Sequence, residues 1–233
     1  MSHSLSFKKL GIDVVPKIAE GFCSDRPITL FYGWRDGGKS TSLAKLIIPR
    51  MVYGTHFRGI HVRKHYNELA LSTYKNLEDR VKELGLEHRV DLVQNHFKLT
   101  SKLNPNNYIF GAGADNPDKV RSSQDINFVW FEEFHDANES DFDSIYGTLR
   151  AKADKPIKFV ATFNNDKVST NSFIYKSFFD KSSPLYDKVE RVHISHLDNP
   201  YIDQVATKDK LMTICRGDED KYNKLVGGEF VNE

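Results

Sequence analysis

The residues Gly33-Trp34-Arg35-Asp36-Gly37-Gly38-Lys39-Ser40 fit the pattern G-x-x-x-x-G-K-S/T, and Thr41 follows them. Glycines at these spacings let backbone N–H groups turn inward onto an anion. A helix that starts directly afterwards adds the partial positive charge of its N-terminus. In such a loop Lys39 reaches the terminal phosphates of a nucleotide and the Ser40 hydroxyl holds Mg²⁺. The ordinary alternative is a glycine-rich turn leading into a helix. Two further groups have types suited to the same chemistry. Glu132-Glu133 closes an apolar run, where one carboxylate can face the Mg²⁺ and the next can orient a water. Thr162-Phe163-Asn164-Asn165 ends another apolar run, and its polar groups can hydrogen-bond a γ-phosphate or the Glu133 carboxylate. Taken singly, the acids also read as a solvated pair, and the asparagines as a polar turn.

These groups work together only if the chain places them at one edge. A strand is expected over about 28–33, before the glycine loop, and a helix over about 38–53, stopped by Gly54 and kinked or shortened by Pro49. Gly59 to Arg63 reads as a second strand. Tyr66, Leu69, Ala70, Tyr74, Leu77, Val81 and Leu84 make the stripe of one long helix capped by Gly85. Short strands near 96–99 and 107–111 flank a polar hairpin loop. The run Ile126 to Phe131 has the continuous apolar character of a central parallel strand. A helix at about 139–150, strands at 157–163 and 189–194, and helical stretches near 201–213 and 218–226 follow. Residues 1–26 read as a helical lead-in, with Val14, Val15, Ile18, Ala19 and Phe22 on one face. Alternating strands and helices imply a three-layer α/β sandwich around a mostly parallel sheet. In open sheets of this kind ligands sit beyond the carboxyl ends of the strands, which is where all three motifs fall.

The chain has 233 residues, enough for a substantial core. Its 28% charged and 39% hydrophobic residues are ordinary for a globular protein, and a net charge of +1 gives no global basic field. Cys23 and Cys215 lie far apart and form no C-x-x-C pair, so neither a zinc ribbon nor a disulfide framework is indicated. No apolar run reaches the length of a membrane span, and an intracellular protein is expected.

The combination of motifs resembles the N-terminal ATPase domain of tailed-phage terminase large subunits, over most of residues 28–233. The resemblance rests on Arg35 inside the glycine loop, on Lys119-Val120-Arg121-Ser122-Ser123 ahead of the acidic strand, and on Thr162-Phe163-Asn164. It extends to His196-Leu197-Asp198-Asn199-Pro200-Tyr201-Ile202 and to Gly227-Gly228-Glu229-Phe230. It implies a P-loop NTPase fold of the ASCE type over 27–233, ending at the linker to a nuclease domain that the chain does not include. The activity implied is ATP hydrolysis coupled to moving double-stranded DNA into a procapsid, in the host cytoplasm. ATP and Mg²⁺ are the implied ligands. The implied partners are DNA, the capsid portal, the small terminase subunit and copies of the chain in a ring.

The implied roles are residue-specific. Gly33 to Thr41 cradle the phosphates, with Lys39 neutralising them. Ser40 and Glu132 hold Mg²⁺, Glu133 polarises water, and Thr162 with Asn164 senses the γ-phosphate. Arg121 is implied as a finger reaching a neighbour's ATP, with Arg35 as a candidate acting in its own site. Glu132 stands where the family usually has Asp, and Trp34 and Asp36 stand where small residues are usual. Asp36 adds negative charge near phosphate, a mild cost that Arg35 and Lys39 should outweigh. Arg58, Arg63, Lys64 and His65, beside Tyr66, form a basic cluster that reads as a DNA contact or a solvated helix entrance. His61 and His65, four apart, do not make a zinc site. A nucleotide-dependent kinase and a nucleotide-gated assembly module of P-loop fold remain as alternative functions.

Overall fold

The computed structural model describes residues 11–116, 125–150 and 156–232. Helix α1 (Pro16–Phe22) leads into β1 (Ile28–Tyr32), the glycine loop, α2 (Lys39–Tyr53) and β2 (Arg58–Arg63). Then come α3 (Thr73–Glu83), β3 (Val90–Val93), β4 (Lys98–Ser101) and β5 (Tyr108–Gly113). Strand β6 (Phe128–Glu132) is followed by α4 (Glu139–Tyr146), β7 (Lys158–Phe163) and α5 (Phe173–Phe178). Strand β8 (Val189–His193) and helices α6 (Gln204–Ile214) and α7 (Glu219–Gly227) complete the series.

The eight strands form one sheet in the order β3-β4-β5-β2-β6-β7-β1-β8. Only β4 runs against the others. Strand β7 therefore separates β1 from β6, and the register pairs Tyr32 with Phe163 and Glu132 with Thr162. The ends of the three motif-bearing strands are level.

Burial follows the pleat. On β6, Phe128 and Trp130 pack with α1, α2 and α3, whereas Val129 and Phe131 pack with α4 and α5. This is the expected three-layer sandwich, with β6 fully buried between two helical layers. A third, smaller cluster gathers Leu211, Cys215, Tyr222 and Val226 of α6, α7 and their connection around Trp34 of the glycine loop. Among the described residues no helix is long and apolar enough to cross a membrane.

Several elements differ from expectation. Pro49 neither kinks α2 to a stop nor shortens it; the helix continues to Tyr53. Ile47, Ile48, Met51 and Val52 are all buried around it. Their burial, about 1.5–3 kcal/mol each, outweighs a proline cost of roughly 3 kcal/mol. The expected helix over Tyr66–Leu84 is split into a short 3₁₀ turn at Tyr66–Glu68 and α3. At the break the Ser72 hydroxyl donates to the Glu68 carbonyl at 2.7 Å, and Leu71 is 91% exposed. Gly85 does follow the helix, at φ +64°. Val14 and Val15 are buried as expected but precede α1, which starts at Pro16. Helix α4 stops at Tyr146, four residues short of its expected end. Edge strand β3 and the six-residue α5 carry too little periodicity to be read from sequence.

Candidate nucleotide site

The glycine loop is held from behind. Gly33 adopts φ +139°, and a Cβ on it would lie 1.9 Å from the Ile194 carbonyl oxygen, so only glycine fits. Gly38 caps α2 in the left-handed conformation at φ +73°. The Asn199 side chain donates to the Asp36 carbonyl at 3.0 Å, and Gln204 donates to the His196 and Asn199 carbonyls. The His196–Ile202 segment noted in the sequence thus braces the loop. Residues Trp34 to Thr41 line a cavity of about 430 Å³ together with Asn164, Lys210 and Ile214.

Lys39 lies at the floor of that cavity. Its ammonium donates to the Gly33 and Trp34 carbonyls, each at 2.6 Å, and to Asn164 Oδ1 at 3.3 Å. Burial brings its pKa down to about 8, against the opposing pull of Asp166 and Asp36. Arg35 is exposed at the rim.

Ser40 lies close enough to Glu132 for its hydroxyl to favour the charged carboxylate. This joins the two groups expected to hold a metal. Glu132 is buried, and burial raises its pKa although Ser40 and Arg63 both favour the charged form. A hydroxyl and a carboxylate facing each other at the mouth of a phosphate loop are hard oxygen donors that suit Mg²⁺. Glu133 follows with its backbone in the left-handed region at φ +51°, which costs of order 1–3 kcal/mol for such a residue. Its side chain is 42% exposed, in contrast to the buried Glu132.

Arg63, at the end of β2, binds both acids. Its guanidinium lies 2.9 Å from Glu133, 3.6 Å from Glu132 and 3.2 Å from Glu68. Burial works against its charge, but Glu133 and Glu132 outweigh burial and raise its pKa. For Arg63, which is buried, this corrects the expectation of a DNA-facing or solvated base. Lys64 pairs with Asp141 at 2.6 Å, His65 with Asp115 at 3.1 Å and Arg58 with Asp125 at 3.5 Å. Each base in that stretch is matched to an acid brought in from another element. His61 is buried, its Nε2–H donating to the Phe97 carbonyl and its Nδ1 accepting from Thr73. Burial lowers its pKa to about 4, so it is a neutral core residue.

At the end of β7 the Thr162 hydroxyl is buried, Thr162 pairs in register with Glu132, and that hydroxyl has no hydrogen-bond partner among the described residues; Asn164 reaches Lys39. Asn165, which the sequence offers as a phosphate or Glu133 partner or as part of a polar turn, is fully buried and donates instead to the Leu225 and Glu229 carbonyls. Trp34 is 2% exposed, and its indole N–H donates to Asp166 at 3.2 Å. A bulky residue fits the loop because α6 and α7 fold over it. Lys210 carries no signal in the sequence, and Arg63 reads there only as one member of a basic cluster, because the acids that each meets come from distant parts of the chain. Arg121 lies outside the described residues.

A family model described as phage terminase large subunit matches residues 25–229. The chain belongs to this family. The PBSX phage terminase large subunit of Bacillus subtilis (strain 168) is 27% identical over 185 residues, 72% of this chain and 41% of the relative. The large terminase ATPase domain of Thermus phage P74-26 superposes with a TM-score of 0.69 at 16% identity, covering 99% of each chain. A thermophilic bacteriophage large terminase solved in complex with ADP gives 0.68 at 15% identity, over 89% of this chain and 49% of its own. The HK97 bacteriophage large terminase gives 0.65 at 11% identity, over 93% and 49%. At these identities the structural likeness is one of fold. The chain spans less than half the length of the curated relative.

Proposed function

We propose that this terminase chain is an ATP-hydrolysing motor domain that couples γ-phosphate loss to translocation of double-stranded DNA. The observation that carries the reading is the convergence of Lys39 and Ser40, Asn164, and Glu132 with Glu133 at the level ends of β1, β7 and β6. The ADP complex of the thermophilic phage relative supports the choice of nucleotide.

The cavity takes the triphosphate, with the loop N–H groups and Lys39 against its phosphates. Ser40 and Glu132 would hold Mg²⁺, which neutralises charge developing on the β- and γ-oxygens. Arg63 fixes one Glu133 oxygen and orients the other toward a water. The water oxygen bonds to the γ-phosphorus as the bond to the bridging oxygen of ADP breaks, and Glu133 accepts the water proton. Asn164, in contact with Lys39, and Thr162, beside Glu132, register the loss of the γ-phosphate. Asn165 carries the shift to α7 through its two hydrogen bonds. Charge at the departing phosphate is completed by an arginine, either Arg121 from a neighbouring copy or Arg35 in the same site. Partners of the assembled motor are then DNA, a portal, a small terminase subunit and further copies of the chain.

The test is phosphate release from ATP by purified chain, with and without double-stranded DNA. Turnover that needs Mg²⁺ and rises with DNA is expected. ATP consumption that occurs only with an organic acceptor contradicts the reading and makes the chain a kinase.

A further inference from the structure

Asp36 places a carboxylate in the middle of a loop built for anions. It holds a left-handed backbone at φ +63°, and its carbonyl is tied down by Asn199. Opposite it, Lys210 projects from α6 with its ammonium 2.5 Å from Asp36 Oδ2. The two form an ion pair, and among the described residues that oxygen has no hydrogen-bond partner. The side chains are 54% and 30% exposed, and an ion pair that open contributes little to stability. Both residues line the cavity that holds Lys39 and Ser40. Lys39 is already bound to three acceptors, whereas among the described residues the half-exposed Lys210 pairs with Asp36 alone.

We propose that Lys210 is a second phosphate-binding lysine, supplied by α6. Asp36 keeps it at the loop while the cavity is empty, and an entering nucleotide phosphate takes it over. A terminal phosphate carries more charge than a carboxylate and offers several acceptor oxygens, so the exchange runs toward the nucleotide. It also ties α6 to the occupancy of the site, because α6 packs on Trp34 of the same loop. The inference rests on the cavity being the nucleotide site and adds a ligand to it.

The experiment measures ATP binding by calorimetry for the wild type, Lys210→Ala, Lys210→Met, Asp36→Asn and the double variant Asp36→Asn/Lys210→Ala. Lys39→Ala is measured in parallel. Loss of a charged contact to phosphate weakens binding by about ten- to a hundredfold. Lys210→Ala and Lys210→Met should both show this loss, and Asp36→Asn should bind as tightly as the wild type or more so. The double variant should remain as weak as Lys210→Ala. Recovery of wild-type affinity in the double variant overturns the proposal, because Lys210 would then serve only to neutralise Asp36. Wild-type affinity in Lys210→Met overturns it as well, while a weakened Lys39→Ala beside it shows that the nucleotide site itself stands. Unchanged binding in Lys39→Ala removes the nucleotide site and the proposal together.

Discussion

At Lys39 three acceptors already surround the ammonium, so a nucleotide meets a lysine whose position is fixed before it arrives. Its pKa of about 8 has two consequences of defined sign. Below pH 8 the lysine is charged in both folded and unfolded chains, and its burial cost is constant. Between about 8 and 10.5 the folded chain sheds the proton first, so this residue's cost to stability is relieved as pH rises. In the proposed role ATP binds the ammonium form, so binding above pH 8 would take up a proton. Affinity should fall by up to about tenfold per pH unit there, and titration calorimetry of Lys39→Ala should show weaker binding without that slope. At the neighbouring acids the outcomes separate. Glu133→Gln keeps shape but cannot accept the water proton, so turnover should drop about 10²–10⁴-fold with ATP binding retained. Glu132→Gln should instead raise the Mg²⁺ concentration needed for half-maximal rate. The exchange of these two phenotypes would assign the water to Glu132.

The elements explain why some of these residues could be read from sequence and others could not. The glycine loop, Glu132-Glu133 and Thr162-Phe163-Asn164 were legible because each sits where a buried strand stops, and a strand end is a local property. Arg63 looked like a surface base because its partners Glu132 and Glu133 arrive from a strand 70 residues downstream. Trp34 looked out of place in a loop of small residues because α6 and α7, which cover it, come near the C-terminal end of the described chain. Pairings set by the order of strands in a sheet leave no periodic trace in sequence. Trp34 then makes a prediction at this scale. Removing a buried tryptophan costs about 3–5 kcal/mol. In Trp34→Ala that loss falls on the small cluster holding α6 and α7, whereas β1, β6 and β7 are packed in the two large clusters. Limited proteolysis should cut Trp34→Ala first within 204–232, with strand amides still protected in hydrogen exchange. Uniform loss of protection across the sheet contradicts this division.

For the molecule as a whole, one edge of the sheet gathers the groups proposed to bind and react, Lys39 and Ser40 at the start of α2 among them, while the apolar faces of α1 to α5 bury its two sides. The two arginines offered for the transition state differ in where they act. If Arg121 reaches a neighbour, dilute chain should hydrolyse ATP slowly, because trans fingers contribute about 10³–10⁵ in rate. Activity per chain should then rise with protein concentration, and Arg121→Ala should flatten the rise without weakening ATP binding. Mixing Arg121→Ala with Glu133→Gln, each inactive alone, should restore part of the turnover. No restoration in demonstrably mixed assemblies moves the role to Arg35. The central claim is that ATP is hydrolysed in the cavity above Lys39 by a water that Glu133 activates. It is met most directly by a single-turnover measurement of phosphate release from saturating chain, with ATP binding followed in the same samples. The account predicts a measurable rate in the wild type, and in Glu133→Gln normal binding with release slowed about 10²–10⁴-fold. Release from Glu133→Gln at the wild-type rate would contradict it.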